Sequence, residues 1–242
     1  MVGSVVKGEF GMQTHTAVLY GCAAAVVVPG KETLTALLAD RKGDSPLDIL
    51  RAAWRRPVPM ASVAVLALTV LTTAAQFAFP TVLEHLERDG AAFDDGQWWR
   101  LLTAVLVQSS GWIQAAFNFA ALTVVGPIAE RVIGPGRWLA AYMLSGLAEN
   151  GVSAAGWSPH GAGSSVAICG LVGAMAALHL LRGDRWSFRR GFALLIPIAG
   201  VALCAVSNNH GVGLLTGCAL GAVAAALPVG RLGVRIASAP GA

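Results

Sequence analysis

Residues 161–170 read GAGSSVAICG. Two adjacent serines stand at the head of a long apolar run, Ser165–Leu181, just behind a short stretch containing Gly161 and Gly163. A serine in a membrane helix ordinarily bonds back to a carbonyl one turn earlier, or lets a second helix approach. The same hydroxyl becomes a nucleophile when a base can reach its proton. The rest of the chain has to decide between these readings.

Composition sets the solvent. Of 242 residues, 55% are hydrophobic and only 12% charged, whereas soluble domains average about a quarter charged. The mean hydropathy is +0.65. Apolar runs long enough to cross a bilayer, roughly 17–25 residues, are expected at Met60–Phe79, Trp112–Ile128, Trp138–Gly156, Ser165–Leu181, Gly191–Val206 and Gly211–Leu227. Pro197 inside the fifth is expected to kink it. Gly213, Gly217 and Gly221 recur at intervals of four, a spacing that lets helices pack closely in lipid. Cys22, Cys169, Cys204 and Cys218 lie in apolar stretches without CxxC spacing, so buried free thiols are expected, with no metal site and no cofactor. The net charge of +4 forms no basic stripe with interleaved aromatics, which excludes nucleic acid as a partner. No inverted repeat points to a transporter.

Charge orients the spans. Arg41, Lys42, Arg51, Arg55 and Arg56 precede the first; Arg131 and Arg137 follow the second; Arg182, Arg185, Arg189 and Arg190 follow the fourth; Arg231 and Arg235 lie in the tail. The positive-inside rule makes these segments cytoplasmic. The loop over residues 80–111 is net acidic, and the third and fifth loops lack Lys and Arg, so these three face outward. Trp112, Trp138, Trp157 and Trp186 are expected at the membrane interface. The expected organisation is an N-terminal segment over 1–57, a six-helix membrane domain over 58–228 and a short cytoplasmic tail over 229–242. Residues 40–57 read as a linker. The short apolar stretch Ala17–Val28 fits a signal-peptide core, an interfacial segment or part of an extra N-terminal helix with Thr33–Ala39, and the extra helix is the reading preferred here. The arginine-rich, Ala/Gly/Val-rich composition suits a bacterial plasma membrane protein.

Polar groups inside the bilayer are costly, and each needs a reason. Gln114, Asn118, Glu130, Glu149, Ser165, His179 and His210 are the candidates. Spans two, four and six enter from the outer face. At about 1.5 Å per residue, Asn118, Ser165 and His210 fall within roughly 10 Å of that surface. A neutral imidazole in reach takes a serine proton. An amide N–H, and the free Ser165 N–H at a helix start, stabilise the oxyanion that results. No third acid is required.

At this point the chain resembles the rhomboid intramembrane serine proteases over residues 58–228. Trp99-Arg100 resembles the family's outer-loop WR signature. Asn118 ends a second-helix motif that usually begins with His. Gly126, Glu130 and Gly134, with Arg137 and Tyr142 beyond, resemble its GxxxExxxG stretch. Gly163-Ser164-Ser165 resembles G-x-S, and His210 to Gly213, with Gly217, resembles its HxxG. The resemblance implies an all-α, six-helix fold that cuts transmembrane protein substrates near the outer face of the bilayer. Ser165 would be the nucleophile, His210 the base, Asn118 and Gln114 oxyanion donors, and Glu130 structural.

Two positions depart from the pattern. Gln114 replaces the histidine and keeps an N–H donor. Val166 replaces the glycine after the nucleophile and puts stiff bulk there. Gln108 also stands where many members carry His, and Glu149 where the residue is usually small; Glu149 reads as half-exposed near the outer interface, with a buried, protonated acid as the second reading. A catalytically silent rhomboid-like protein that binds membrane partners is therefore the alternative.

Overall fold

A computed structural model describes residues 45–55, 57–182 and 188–226, together with Gly30 and Thr33. The stretch read at Ala17–Val28, the tail 229–242 and Trp186 lie outside these residues. The helices are α1 (Pro46–Trp54), α2 (Met60–Ala78), α3 (Thr81–Leu86), α4 (Gly90–Asp94), α5 (Arg100–Thr103), α6 (Gly111–Ile133), α7 (Pro135–Val152), α8 (Ser165–Arg182), α9 (Phe188–Phe192), α10 (Leu195–Ala205) and α11 (Asn209–Ala226). A 3₁₀ turn, Ala104–Leu106, follows α5, and a π-helical turn, Ser153–Trp157, follows α7. Among the described residues there is no strand, only an isolated antiparallel bridge between Arg88 and Gly161.

Among the described residues four helices, α2, α6, α8 and α11, are long and apolar enough to cross a membrane. Helix α7 matches α8 in length at 18 residues but carries Arg137, Ser145, Glu149 and Asn150. Helix α10 has only 11 residues. The fifth apolar run is broken at Ala193–Leu194, ahead of Pro197. Pro197 itself sits in the first turn of α10, where its missing N–H costs no helical bond, so the expected mid-span kink becomes a helix start.

The motif around Glu130 is built for close packing. A Cβ on Gly126 would press on the Ser62 side chain at 3.2 Å, so glycine lets α2 and α6 touch. One turn on, Glu130 caps α2 from outside. Pro59 offers that helix no capping side chain, and Glu130 instead accepts from the N–H of Ala61 (3.1 Å) and Ser62 (2.7 Å) and from Ser62 Oγ (2.7 Å). These are first-turn donors that the helix cannot satisfy itself, and an anion there also suits its dipole. Gly134, at φ +80°, then turns the chain directly into α7, where Pro135 takes the first helical position. Helix α7 therefore starts before Trp138. That indole is fully buried rather than interfacial: it stacks on Tyr142 with ring centroids 5.2 Å apart and donates to the Gly126 carbonyl (2.9 Å).

Helix α1 packs beneath α6. Ile49 and Ala53 join the main core, Trp54 Nε1 donates to the Thr123 carbonyl (3.1 Å), and Arg131 Nε donates to that of Ala53 (3.1 Å).

Helices α8 and α11 make the tightest contact. A methyl on Gly213, Gly217 or Gly221 would land on the carbonyl of Val166, Gly170 or Ala174 respectively, and one on Gly173 would strike that of Leu214. Glycines on both helices thus set the backbones in direct contact. Replacing Gly217 with Ala should destabilise the protein by about 1–3 kcal/mol through overpacking. Gly151→Ala, where nothing lies within 4 Å, should not. Thermal unfolding of the two variants in detergent checks this pair.

Candidate active site

The α8–α11 contact brings two sequence-separated groups together. Ser165 is the first residue of α8 and His210 the second of α11. His210 Nε2 lies 3.0 Å from Ser165 Oγ, and both residues are half-buried. Val166 does not intervene. It is 5% exposed and its carbonyl faces Gly213, because adjacent helical residues point in different directions. Ser164 is fully buried. The two serines thus differ in access as well as in register.

The other face of the imidazole is also occupied. His210 Nδ1 lies 3.0 Å from Asn208 Oδ1, and the His210 backbone N–H donates to the same oxygen (3.1 Å). The sequence reading missed Asn208. An Asn immediately before a helix start is the available signal, since that is the N-cap position.

Asn118 and Gln114 occupy successive turns of α6. Asn118 is buried, and its Nδ2 donates to Gln108 Oε1 (2.6 Å). Gln108 is pinned in turn by Gln76 of α2, whose Oε1 accepts from the Gln108 N–H (2.8 Å) and whose Nε2 donates to the Gln108 carbonyl (2.9 Å). Gln76 was also missed, although a glutamine in an otherwise apolar span is itself a signal. Gln114 Nε2 donates to the Ala162 carbonyl (2.9 Å), and its Oε1 accepts from the Ser110 N–H (2.7 Å). A Cβ on Gly163 would strike the Gln114 amide, so glycine is what lets the loop before Ser165 lie against α6. Each NH₂ has two protons. After these bonds, one remains on Gln114 and one on Asn118.

The loop itself is clamped. Gly163 N–H donates to the Ala104 carbonyl (2.9 Å), and Ser109 Oγ both accepts from the Ala162 N–H and donates to the Ala162 carbonyl (3.0 Å each). Farther back, Arg88 and Gly161 exchange backbone bonds of 3.0 and 3.2 Å. The Arg88 side chain is buried and donates to Asn150 Oδ1 (2.6 Å), Glu149 Oε1 (3.1 Å) and the Ser158 carbonyl (2.8 Å). Burial pulls this guanidinium below its usual pKa, and the Glu149 charge opposes that. Glu149 is thus not half-exposed. It is 1% exposed and also accepts from Ser153 Oγ (2.9 Å). Reading it as half-exposed overlooked a cation supplied from 61 residues away.

Arg100 collects the Glu84 (2.6 Å) and Glu87 (3.1 Å) carbonyls, which ties α5 to the end of α3, while Trp99 is exposed. His179 lies in the last turn of α8, about 20 Å from Ser165 at 1.5 Å per residue. Cys169, Cys204 and Cys218 are free thiols, half-buried rather than buried. No three His, Cys, Asp or Glu side chains among the described residues form a metal-binding group.

An all-helical membrane bundle with a serine and a histidine in hydrogen-bond contact across two helices defines a narrow class. Residues 95–227 match the family model of the rhomboid domain. The chain belongs to the rhomboid family, and it is an integral membrane protein. It is 34% identical over 168 residues to Rhomboid protease GluP of Bacillus subtilis (strain 168), an alignment covering 66% of this chain and 32% of that protein. It is 32% identical over 120 residues to Putative rhomboid protease YdcA of the same organism, covering 48% of this chain and 59% of that protein. The chain thus spans about a third of the first relative and under two thirds of the second.

Arg88→Met should destabilise the fold by about 3–5 kcal/mol, because it strands a buried carboxylate. Adding Glu149→Leu should recover most of that loss. Thermal unfolding of the single and double variants checks the coupling.

Proposed function

We propose that this protein is an intramembrane serine protease that hydrolyses peptide bonds of transmembrane protein substrates near the outer face of a bacterial plasma membrane. The observation that carries the reading is the 3.0 Å contact between Ser165 Oγ and His210 Nε2. His210 takes the hydroxyl proton as Ser165 attacks the scissile carbonyl carbon. The oxyanion that forms accepts from the spare N–H of Asn118, from that of Gln114 and from the Ser165 backbone N–H. His210 returns the proton to the leaving amine. Water, activated by the same imidazole, then releases the acyl group. The mechanism draws on no cofactor.

The working unit is a six-span core over residues 58–228, with α7 and α10 as the third and fifth spans and both ends of the core cytoplasmic. Residues 1–57 and 229–242 flank it. In this orientation the starts of α6, α8 and α11 share the outer face. The clamped loop from Ser158 to Gly163 then lies beside the entry to the site. A rhomboid-family assignment and relatives named as proteases support the activity. The amide at position 114 keeps the donor that the chemistry needs.

Purified protein in proteoliposomes should cleave members of a panel of single-span membrane proteins, and Ser165→Ala should abolish it. Asn118→Ala should slow cleavage by about 10²–10³-fold, the usual loss for one oxyanion donor. No cleavage across the panel, or cleavage that survives Ser165→Ala, would contradict the assignment. The first of these outcomes favours a rhomboid-fold protein that binds membrane partners without cutting them.

A further inference from the structure

We propose that Asn208 is a positioning residue for His210, fixing which imidazole nitrogen carries the proton; the catalytic consequence rests on the protease reading above. The connection between α10 and α11 leaves no slack. Helix α10 ends with the Asn208 N–H bonded to the Leu203 carbonyl and the Ser207 N–H bonded to that of Cys204, both at 2.9 Å. Ser207 adopts φ +53°, the left-handed turn that this pattern requires. The next residue, Asn208, already caps α11. It is therefore held from both sides, by the end of one helix and the start of the next.

Two donors meet its side-chain oxygen, the His210 backbone N–H at 3.1 Å and His210 Nδ1 at 3.0 Å. The orientation of a side-chain amide is ordinarily an assignment between nearly identical groups. Here the backbone decides it. A backbone N–H only donates, so the group facing it must be the amide oxygen. The same oxygen faces Nδ1 and only accepts, so Nδ1 carries the hydrogen. In the neutral ring, Nε2 then has a free lone pair, and that is the atom 3.0 Å from Ser165 Oγ. A neutral amide thus selects the tautomer that can act as base and steadies Nδ1–H while the ring is charged. The third group that orients the base is an Asn two residues away on the same helix cap, not a distant acid.

Asn208→Ser separates the two tasks, because serine caps a helix as well as asparagine but is too short to reach Nδ1. Asn208→Asp keeps the acceptor and adds a charge that stabilises the imidazolium. Two readouts on the full-length protein in detergent test the assignment. The first is the tautomer of His210, read from the ring nitrogens by ¹⁵N-histidine NMR, which needs no activity. The second is the rate of labelling by a fluorophosphonate against pH. The wild type should show the Nδ1–H form, and Asn208→Ser a mixture with Nε2–H. Labelling should fall on the order of tenfold or more in Asn208→Ser, within the ~10²–10⁴ that general-base catalysis supplies. Asn208→Asp should restore labelling, with its rise displaced to higher pH, since the base works only when neutral. An Nε2–H tautomer in the wild type overturns the proposal, as does a folded Asn208→Ser variant with unchanged tautomer and unchanged labelling. A wild type that holds the Nδ1–H form yet takes no label overturns the protease reading and leaves the Asn208 assignment standing.

Discussion

Backbone contact between α8 and α11 is the constraint on which the rest depends. Lipid supplies no hydrophobic drive for one apolar helix to prefer another, so association relies on close packing. Gly213, Gly217 and Gly221 on α11 rest on the carbonyls of Val166, Gly170 and Ala174 on α8, and Gly173 on α8 rests on that of Leu214. Ser165 and His210 begin these two helices. The glycine seam that joins the helices therefore sets the distance between hydroxyl and imidazole, with no adjustable side-chain layer in between.

The second requirement is that a charge buried in the bundle be answered. Glu130 meets it by accepting from an unsatisfied helix start, and Glu149 by pairing with Arg88. Asn118 and Gln108 share a hydrogen bond, and Gln76 holds Gln108 by its backbone. These are not independent supports. Arg88 ties the loop before Ser165 to α7, and Gln114 ties the same loop to α6, so the approach to the serine is fixed from two sides. Breaking either link costs most where a charge would be left alone, because an unpaired buried ion has no water to fall back on.

Much of this could be read from the sequence. The apolar runs, the charge pattern of the loops and the order of small motifs single out Ser165, His210 and Asn118, and Ser165 and His210 stand 3.0 Å apart. What stayed hidden required pairing across distance. Glu149 gave no sign that Arg88, on a short loop between helices, would bury itself beside it. Trp138 carries the same letter as an interfacial anchor, but its indole N–H finds the Gly126 carbonyl and lets it sit inside. Pro197 could mark a kink or a helix start, and only the turn at Ala193–Leu194 separates these. Asn208 was legible in principle as a cap, yet its role beside the imidazole depends on the left-handed Ser207 that aims it.

The most direct test of the Ser165–His210 pair is to treat the purified protein with a fluorophosphonate and locate the adduct by mass spectrometry, with and without His210→Ala. A single adduct on Ser165, absent from Ser164 and lost in His210→Ala, is the expected result. No adduct, or one on Ser165 that persists without His210, would contradict a serine activated across the α8–α11 contact.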